Sequence, residues 1–175
     1  MPRKPSLDGI PLFERLSPDE RDELAEFMQP TSFGPGTFIY EEGGPEETLY
    51  VLTSGTVEVH KRVLPGRTHQ LATMDAPTVI GEMGLLTEPR ATASVTAKTQ
   101  VEAHGISRDQ LLEMLDEDSL AACKLVHEIG RTLAGRMART DESVASIIGQ
   151  LERRNARSDH DPDVFGDRLL SDWGF

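Results

Sequence analysis

The stretch richest in chemistry is Gly81-Glu82-Met83-Gly84-Leu85-Leu86, followed closely by Pro89-Arg90-Ala91-Thr92-Ala93-Ser94-Val95. Gly81 lets a backbone come close to a bound group. Met83, Gly84, Leu85 and Leu86 can form one helical turn, and the first N–H groups of such a turn, having no partner inside it, suit a phosphate. Arg90 supplies a planar, permanently charged fork for the same anion. Glu82 cannot take a phosphate, but it accepts a hydrogen bond from a sugar hydroxyl. Donors for phosphate beside an acceptor for ribose form a nucleotide-shaped set, and that set binds rather than catalyses.

Short β-rich runs interrupted by turn residues surround this stretch. They are Phe38–Tyr40, Leu49–Leu52, Thr56–His60, Gln70–Met74, Ala93–Ala97 and Val101–His104. Gly34-Pro35-Gly36, Gly43-Gly44-Pro45, Ser54-Gly55, Pro65-Gly66 and Ala76-Pro77 punctuate them. Such spacing predicts an antiparallel sandwich or barrel. Val57, Val59 and Lys61 alternate with Glu58 and His60, the period of a half-buried strand.

Helices flank the β region. Residues 1–11 read as a flexible lead-in. Ser17-Pro18-Asp19-Glu20 carries an N-cap, a first-turn proline and a capping-box partner, so a short helix starts there and ends near Pro30. Ser107 caps a second short helix over Arg108–Leu115, and Asp118 or Ser119 starts a long one reaching about Asn155. Val126, Leu133, Thr140 and Ile147 fall on one heptad position of that helix, and Met137, Val144 and Leu151 on another. Such a stripe predicts pairing with a second copy, against the alternative that its first half packs on its own domain and the rest is solvated. The last segment, 156–175, is acidic and reads as a disordered tail. The expected divisions are therefore 1–11, 12–116, 117–155 and 156–175.

Formal net charge is −12, which disfavours nucleic acid and anionic membranes as partners. A small anion remains possible, because a local cradle outweighs distant charge at contact range. No apolar run is long enough to span a bilayer, and no secretory signal opens the chain. The lone Cys123, beside Ala121, Ala122 and Leu125, is expected to be a small core hydrophobe and fits a reducing cytoplasm. His60, His69 and His104 lie in β-rich sequence, but no two histidines stand two or four apart, which disfavours a metal-dependent barrel enzyme. No Walker loop, no G-x-S-x-G and no supported Cys/His pair occurs, so neither a catalytic residue nor a metal ligand is expected.

From Leu12 to Met137 the chain resembles the cyclic-nucleotide-binding domain family, of the catabolite activator protein and protein kinase A regulatory subunit type. Leu12-Phe13 with Leu16-Ser17 is similar to the family's leading helix, and Gly36–Ile39 with Glu42-Gly43 to the strand and turn after it. Leu49–Leu52, Gly55 and Val57–Val59 are similar to its hairpin, and Gly81–Leu86 with Pro89–Thr92 to its phosphate-binding cassette. The resemblance implies a double-stranded β-helix, or jelly roll, with a long C-terminal helix. It implies that Glu82 holds the ribose 2′-hydroxyl and Arg90 the cyclic phosphate. The N–H groups of Met83, Gly84 and Ala91 would complete the cradle, with Gly81, Leu85 and Thr92 or Ser94 around it. Over the base it places Leu133 and Arg136, with Thr132 and Met137 beside them. Cyclic AMP is favoured over cyclic GMP, since Ala91 rather than threonine directly follows the arginine. No cofactor is required.

One spacing departs from the family. Its arginine usually stands four residues before the valine that re-enters the strand, whereas Arg90 stands five before Val95. Without a gap, Ala91 falls at the arginine position. Either the loop shifts by one residue and Arg90 still reaches the phosphate, or the site is weakened and Arg90 merely pairs with Glu88. The expectation is a non-enzymatic sensor, homodimeric through its long helix, signalling to a protein effector. The alternative is an interaction protein that keeps the fold without the ligand. A transcription regulator ranks lower, because only an acidic segment of about twenty residues follows Asn155, too short for a helix-turn-helix.

Overall fold

The computed structural model describes residues 4–86 and 90–155. Glu88 and the acidic segment 156–175 lie outside the described residues, and with them the expected Arg90–Glu88 pair and the disordered tail. The chain divides into two compact units, Met1–Arg131 and Thr132–Phe175.

Among the described residues the first unit holds eight strands. They are β1 (Gln29–Phe33), β2 (Phe38–Tyr40), β3 (Thr48–Ser54), β4 (Thr56–Leu64), β5 (Arg67–Asp75), β6 (Thr78–Ile80), β7 (Ser94–Ala97) and β8 (Val101–Ser107). They form two four-stranded sheets in the orders β1-β8-β3-β6 and β2-β7-β4-β5, and all pairs are antiparallel. This alternation of strands between two sheets is the jelly roll the resemblance implied. Six strands coincide with expected runs. The two unexpected ones, β1 and β6, are short segments that take their register from β8 and β3.

Between the sheets lies a core of Tyr40, Leu52, Val57, Ile80, Ala91, Val95, Ala97, Val101 and Ala103. The inward residues of each strand follow the period of two, as in β8, where Val101 and Ala103 are buried and Glu102 is exposed. The distal end of the β4–β5 hairpin leaves this core, so Val63, Leu64 and Leu71 are exposed.

A 3-10 turn at Pro11–Phe13 precedes α1 (Pro18–Phe27), which opens on the expected capping box: Ser17 Oγ accepts from Glu20 N–H, and Glu20 Oε2 from Ser17 N–H. α3 (Arg108–Asp116) repeats the device with Ser107 and Gln110. α2 (Glu82–Leu86) is the single turn expected within the cassette. It sits on the connection from β6 to β7, where the chain passes from one sheet to the other.

Two expectations are corrected in this unit. The lead-in is packed rather than loose: Pro5, Leu7 and Ile10 are buried, while Lys4 pairs with Glu26 and Asp8 with Arg21. Cys123 is exposed rather than buried. It lies in α4 (Leu120–Asn155), whose inward face in this unit is Ala121, Ala122, Leu125 and Ile129. Two residues beyond Ala121 the helix has turned about 200°, which carries Cys123 to the opposite side.

In the second unit α4 continues to Asn155 with its apolar stripe open to solvent: Met137 is 65%, Ile147 55% and Leu151 45% exposed. Among the described residues no helix is long and apolar enough to cross a membrane.

Candidate functional site

The cassette is built on three backbone pieces: the β2–β3 loop, α2 and the approach to β7. Gly81 has φ +84°, and a Cβ there would lie 2.2 Å from the Tyr40 hydroxyl oxygen and 2.4 Å from the Thr48 carbonyl oxygen. Burial pushes the Tyr40 phenol well above its ordinary pKa, and its hydroxyl donates to Thr48 O. Gly81 therefore serves internal packing, turning β6 into α2 against β2 and β3, rather than opening a way to a ligand. At Gly84 an added Cβ would lie 1.7 Å from the Glu46 carbonyl oxygen, so only glycine lets α2 rest on the loop.

That loop binds the other side of the site as well. Gly43 N–H donates to Ala91 O (2.8 Å), Ala91 N–H donates to Gly44 O (2.9 Å), and Pro45 forms a β-bridge with Arg90. Arg90 is exposed, and its Nη1 donates to Gly43 O at 3.4 Å. Ala91 points the other way, 3% exposed within the core. Of the two residues that could stand at the arginine position, Arg90 is thus the one on the surface, tied to the loop that also meets Gly84.

Among the described residues two carboxylates are buried here: Glu82 is 6% and Glu46 7% exposed. Glu46 Oε1 accepts from Gly84 N–H at 3.4 Å. Burial raises the Glu46 pKa, the Gly84 N–H opposes that, and the Glu82 charge adds to it. Arg108 of α3 closes the far side, with Nη1 donating to Gly84 O at 3.4 Å. On the outer rim Thr92 Oγ1 faces Met83 S at 3.8 Å, Lys61 Nζ donates to Thr92 O, and Lys61 pairs with Glu42 at 3.0 Å. Arg62 N–H donates to Glu42 Oε2, and this bond, with the Lys61 ammonium behind it, lowers the Glu42 pKa. Ser94 Oγ accepts from Glu42 N–H at 3.0 Å.

The structure therefore brings together Gly81, Glu82, Met83, Gly84, Leu85, Arg90, Ala91 and Thr92. It also corrects the expectation that the cradle N–H groups stand open. Gly84 N–H is held by Glu46 and Ala91 N–H by Gly44 O, because a tight turn of glycines brings acceptors against both. Leu133, half-buried, and Arg136, exposed, belong to the second unit. Sequence reasoning missed Glu46, which lies 38 residues from Gly84 in a run that reads only as a Gly-Gly-Pro turn. Among the described residues no three His, Cys, Asp or Glu side chains gather as a metal site.

Fold and cassette together define the class: a jelly roll whose two sheets are joined through a short helical cassette, with a long helix following. The family described as cyclic nucleotide-binding domain matches residues 30–118. The chain belongs to that family. It is 28% identical over 137 residues to the CRP-like cAMP-activated global transcriptional regulator of Mycobacterium tuberculosis, covering 78% of this chain and 59% of that protein. It is 33% identical over 109 residues to the cAMP-dependent protein kinase regulatory subunit of Aspergillus fumigatus, covering 62% of this chain and 26% of the subunit. The crystal structure of the Thermus thermophilus catabolite activator protein superposes with a TM-score of 0.71 at 27% identity, covering 78% of this chain and 62% of that one. The chain thus spans under two thirds of the length of each of these relatives.

Proposed function

We propose that the chain is a cyclic-nucleotide sensor that binds cyclic AMP, and cyclic GMP less well, without catalysing a reaction. Glu82 takes the ribose hydroxyl, while Arg90 and the cassette N–H groups of Met83 and Gly84 take the phosphate. The observation that carries this reading is the convergence of α2 and Arg90 on one four-residue loop, Gly43–Glu46. For Leu133 and Arg136 the support is the resemblance: the guanidinium would stack on a purine or bond its edge. Ligand preference for one arrangement of α4 would shift its population and pass the signal to a protein effector. The exposed stripe of Met137, Ile147 and Leu151 supports pairing with a second copy.

Calorimetry with cyclic AMP and cyclic GMP tests the reading. Binding is expected, weakened by Arg90→Ala and by Glu82→Ala. A charge-assisted bond of about 1.5–3 kcal/mol corresponds to a loss of roughly one to two decades. Absence of heat and of any melting shift at millimolar ligand would refute the sensor. One observation favours a second reading, an interaction protein that has lost the ligand: Gly84 and Ala91 N–H groups are already satisfied from within. That reading predicts no binding by the wild type or by any cassette variant.

A further inference from the structure

Glu46 has no part in the binding scheme above, yet it occupies the scheme's central donor. Its carboxylate is 7% exposed and accepts a hydrogen bond from Gly84 N–H, in the middle of α2. The distance, 3.4 Å, lies at the outer limit of a hydrogen bond, so the contact exchanges readily for a better acceptor. Glu46 cannot withdraw by a backbone shift alone, because its carbonyl is pressed against the Gly84 Cα and the loop is bonded to Ala91 on its other side. What can leave is the side chain.

We propose that Glu46 is a built-in competitor for the ligand: its carboxylate holds the Gly84 N–H in the free protein, and it gives up that position or its charge when an anionic phosphate arrives. The proposal rests on the cyclic-nucleotide reading and adds to it a residue that sets affinity. A cyclic phosphodiester and a carboxylate are both anions seeking the same N–H, so the two exclude each other there. The charged and titratable groups around Glu46 sharpen the conflict. Glu82 from α2 is the second buried carboxylate, and the Tyr40 phenol from β2 adds no cation. Glu47 follows it in the loop, Arg90 stands beyond at Gly43 O, and Arg108 from α3 is engaged at Gly84 O. An arriving phosphate would be the third negative charge beside Glu46 and Glu82. The bound state therefore favours a proton taken from solvent onto Glu46, and affinity rises as pH falls.

Isothermal titration with cyclic AMP at about pH 5.5 and about pH 8 tests this on the full chain and two variants. Glu46→Gln keeps shape and an acceptor but removes the charge; Glu47→Gln removes the same charge from the exposed neighbour. The expected result is that Glu46→Gln binds roughly tenfold tighter than wild type at the higher pH and loses most of the pH slope. Glu47→Gln tracks the wild type. Equal affinities and equal slopes in all three proteins overturn it while leaving the sensor reading intact. Silence from all three defeats the sensor reading and this one with it. Glu46→Ala, read the same way, covers the case in which glutamine packs badly, and the melting temperature of each variant shows that it folds.

Discussion

Replacing Gly84 by alanine sets two effects of known size against each other. Alanine is the better helix former by about 1 kcal/mol. Against this, the new methyl would sit 1.7 Å from the Glu46 carbonyl oxygen and 2.7 Å from its carbon. A relaxed carbon–oxygen contact is about 3.3 Å, so α2 or the loop must move by about 1.5 Å. The loop resists, being tied by the Gly43–Ala91 and Ala91–Gly44 bonds. Overpacking against backbone costs about 1–3 kcal/mol, and breaking one of those loop bonds adds about 1 kcal/mol. The net effect is destabilisation by about 1–3 kcal/mol, a fall in melting temperature of roughly 3–10 °C for a chain of this size. Because the displaced pieces are the cassette itself, cyclic AMP affinity should fall with it. Gly130 provides the opposite case: it lies in α4 with no atom within 4 Å of an added Cβ. Gly130→Ala should therefore stabilise by about 0.5–1 kcal/mol. Urea titrations and thermal melts of both variants read the two signs. A Gly84→Ala protein as stable as wild type, or a Gly130→Ala protein as damaged as Gly84→Ala, would refute the reasoning.

Ile129→Ala, at a fully buried position of α4, should cost about 2–5 kcal/mol, read as a lower urea midpoint. Tyr40→Phe leaves the Thr48 carbonyl without its hydroxyl donor and should cost about 1–2 kcal/mol by the same measurement. Glu58 is held below the usual carboxylate range, chiefly by its hydrogen bond from Lys98. Its folded pKa being depressed, the stabilisation is present above the unfolded value of about 4.3 and is lost as pH falls through the folded one. Lys98→Met should then be less stable than wild type at neutral pH and equal to it in strong acid, as melts across pH will show. Glu46 has the opposite sign: burial first, then Glu82, raises its folded pKa, so its cost is absent in acid and appears as pH rises through that value. Glu46→Gln should melt above wild type at neutral pH and alongside it below about pH 4.

How much of this was legible depends on how far each signal travels along the chain. The capping boxes at Ser17 and Ser107 are written within four residues, and both form as read. The turn of α2 and six of the eight strands are local as well. β1 and β6 were not, because Gln29–Phe33 and Thr78–Ile80 carry little alternation and are strands only through pairing with β8 and β3. The burial of Leu7 and Ile10 is tertiary for the same reason, since a short segment with Pro, Lys and Asp reads as loose until something covers it. Cys123 is exposed despite apolar sequence neighbours because adjacency along the chain does not fix the angle around a helix. In the cassette, residue types were readable and occupancy was not: nothing near Gly84 announces that Glu46 will reach its N–H.

A chain of formal net charge −12 would take an anion only through groups close to it. At physiological ionic strength the Debye length is about 8 Å, so most of those charges are invisible from the cassette. Among the described residues, those placed at the cassette include Glu46 and Glu82, buried, Arg90 on the rim, Arg108 behind Gly84, and Lys61 already shared between Glu42 and Thr92. On the proposed reading a ribose hydroxyl answers Glu82 and a phosphate answers Arg90. Glu46 has no counterpart on a cyclic nucleotide. On that reading its charge opposes the ligand at the donor both would share, so the balance between a working sensor and an inert copy of the fold would turn on the proton of a single glutamate.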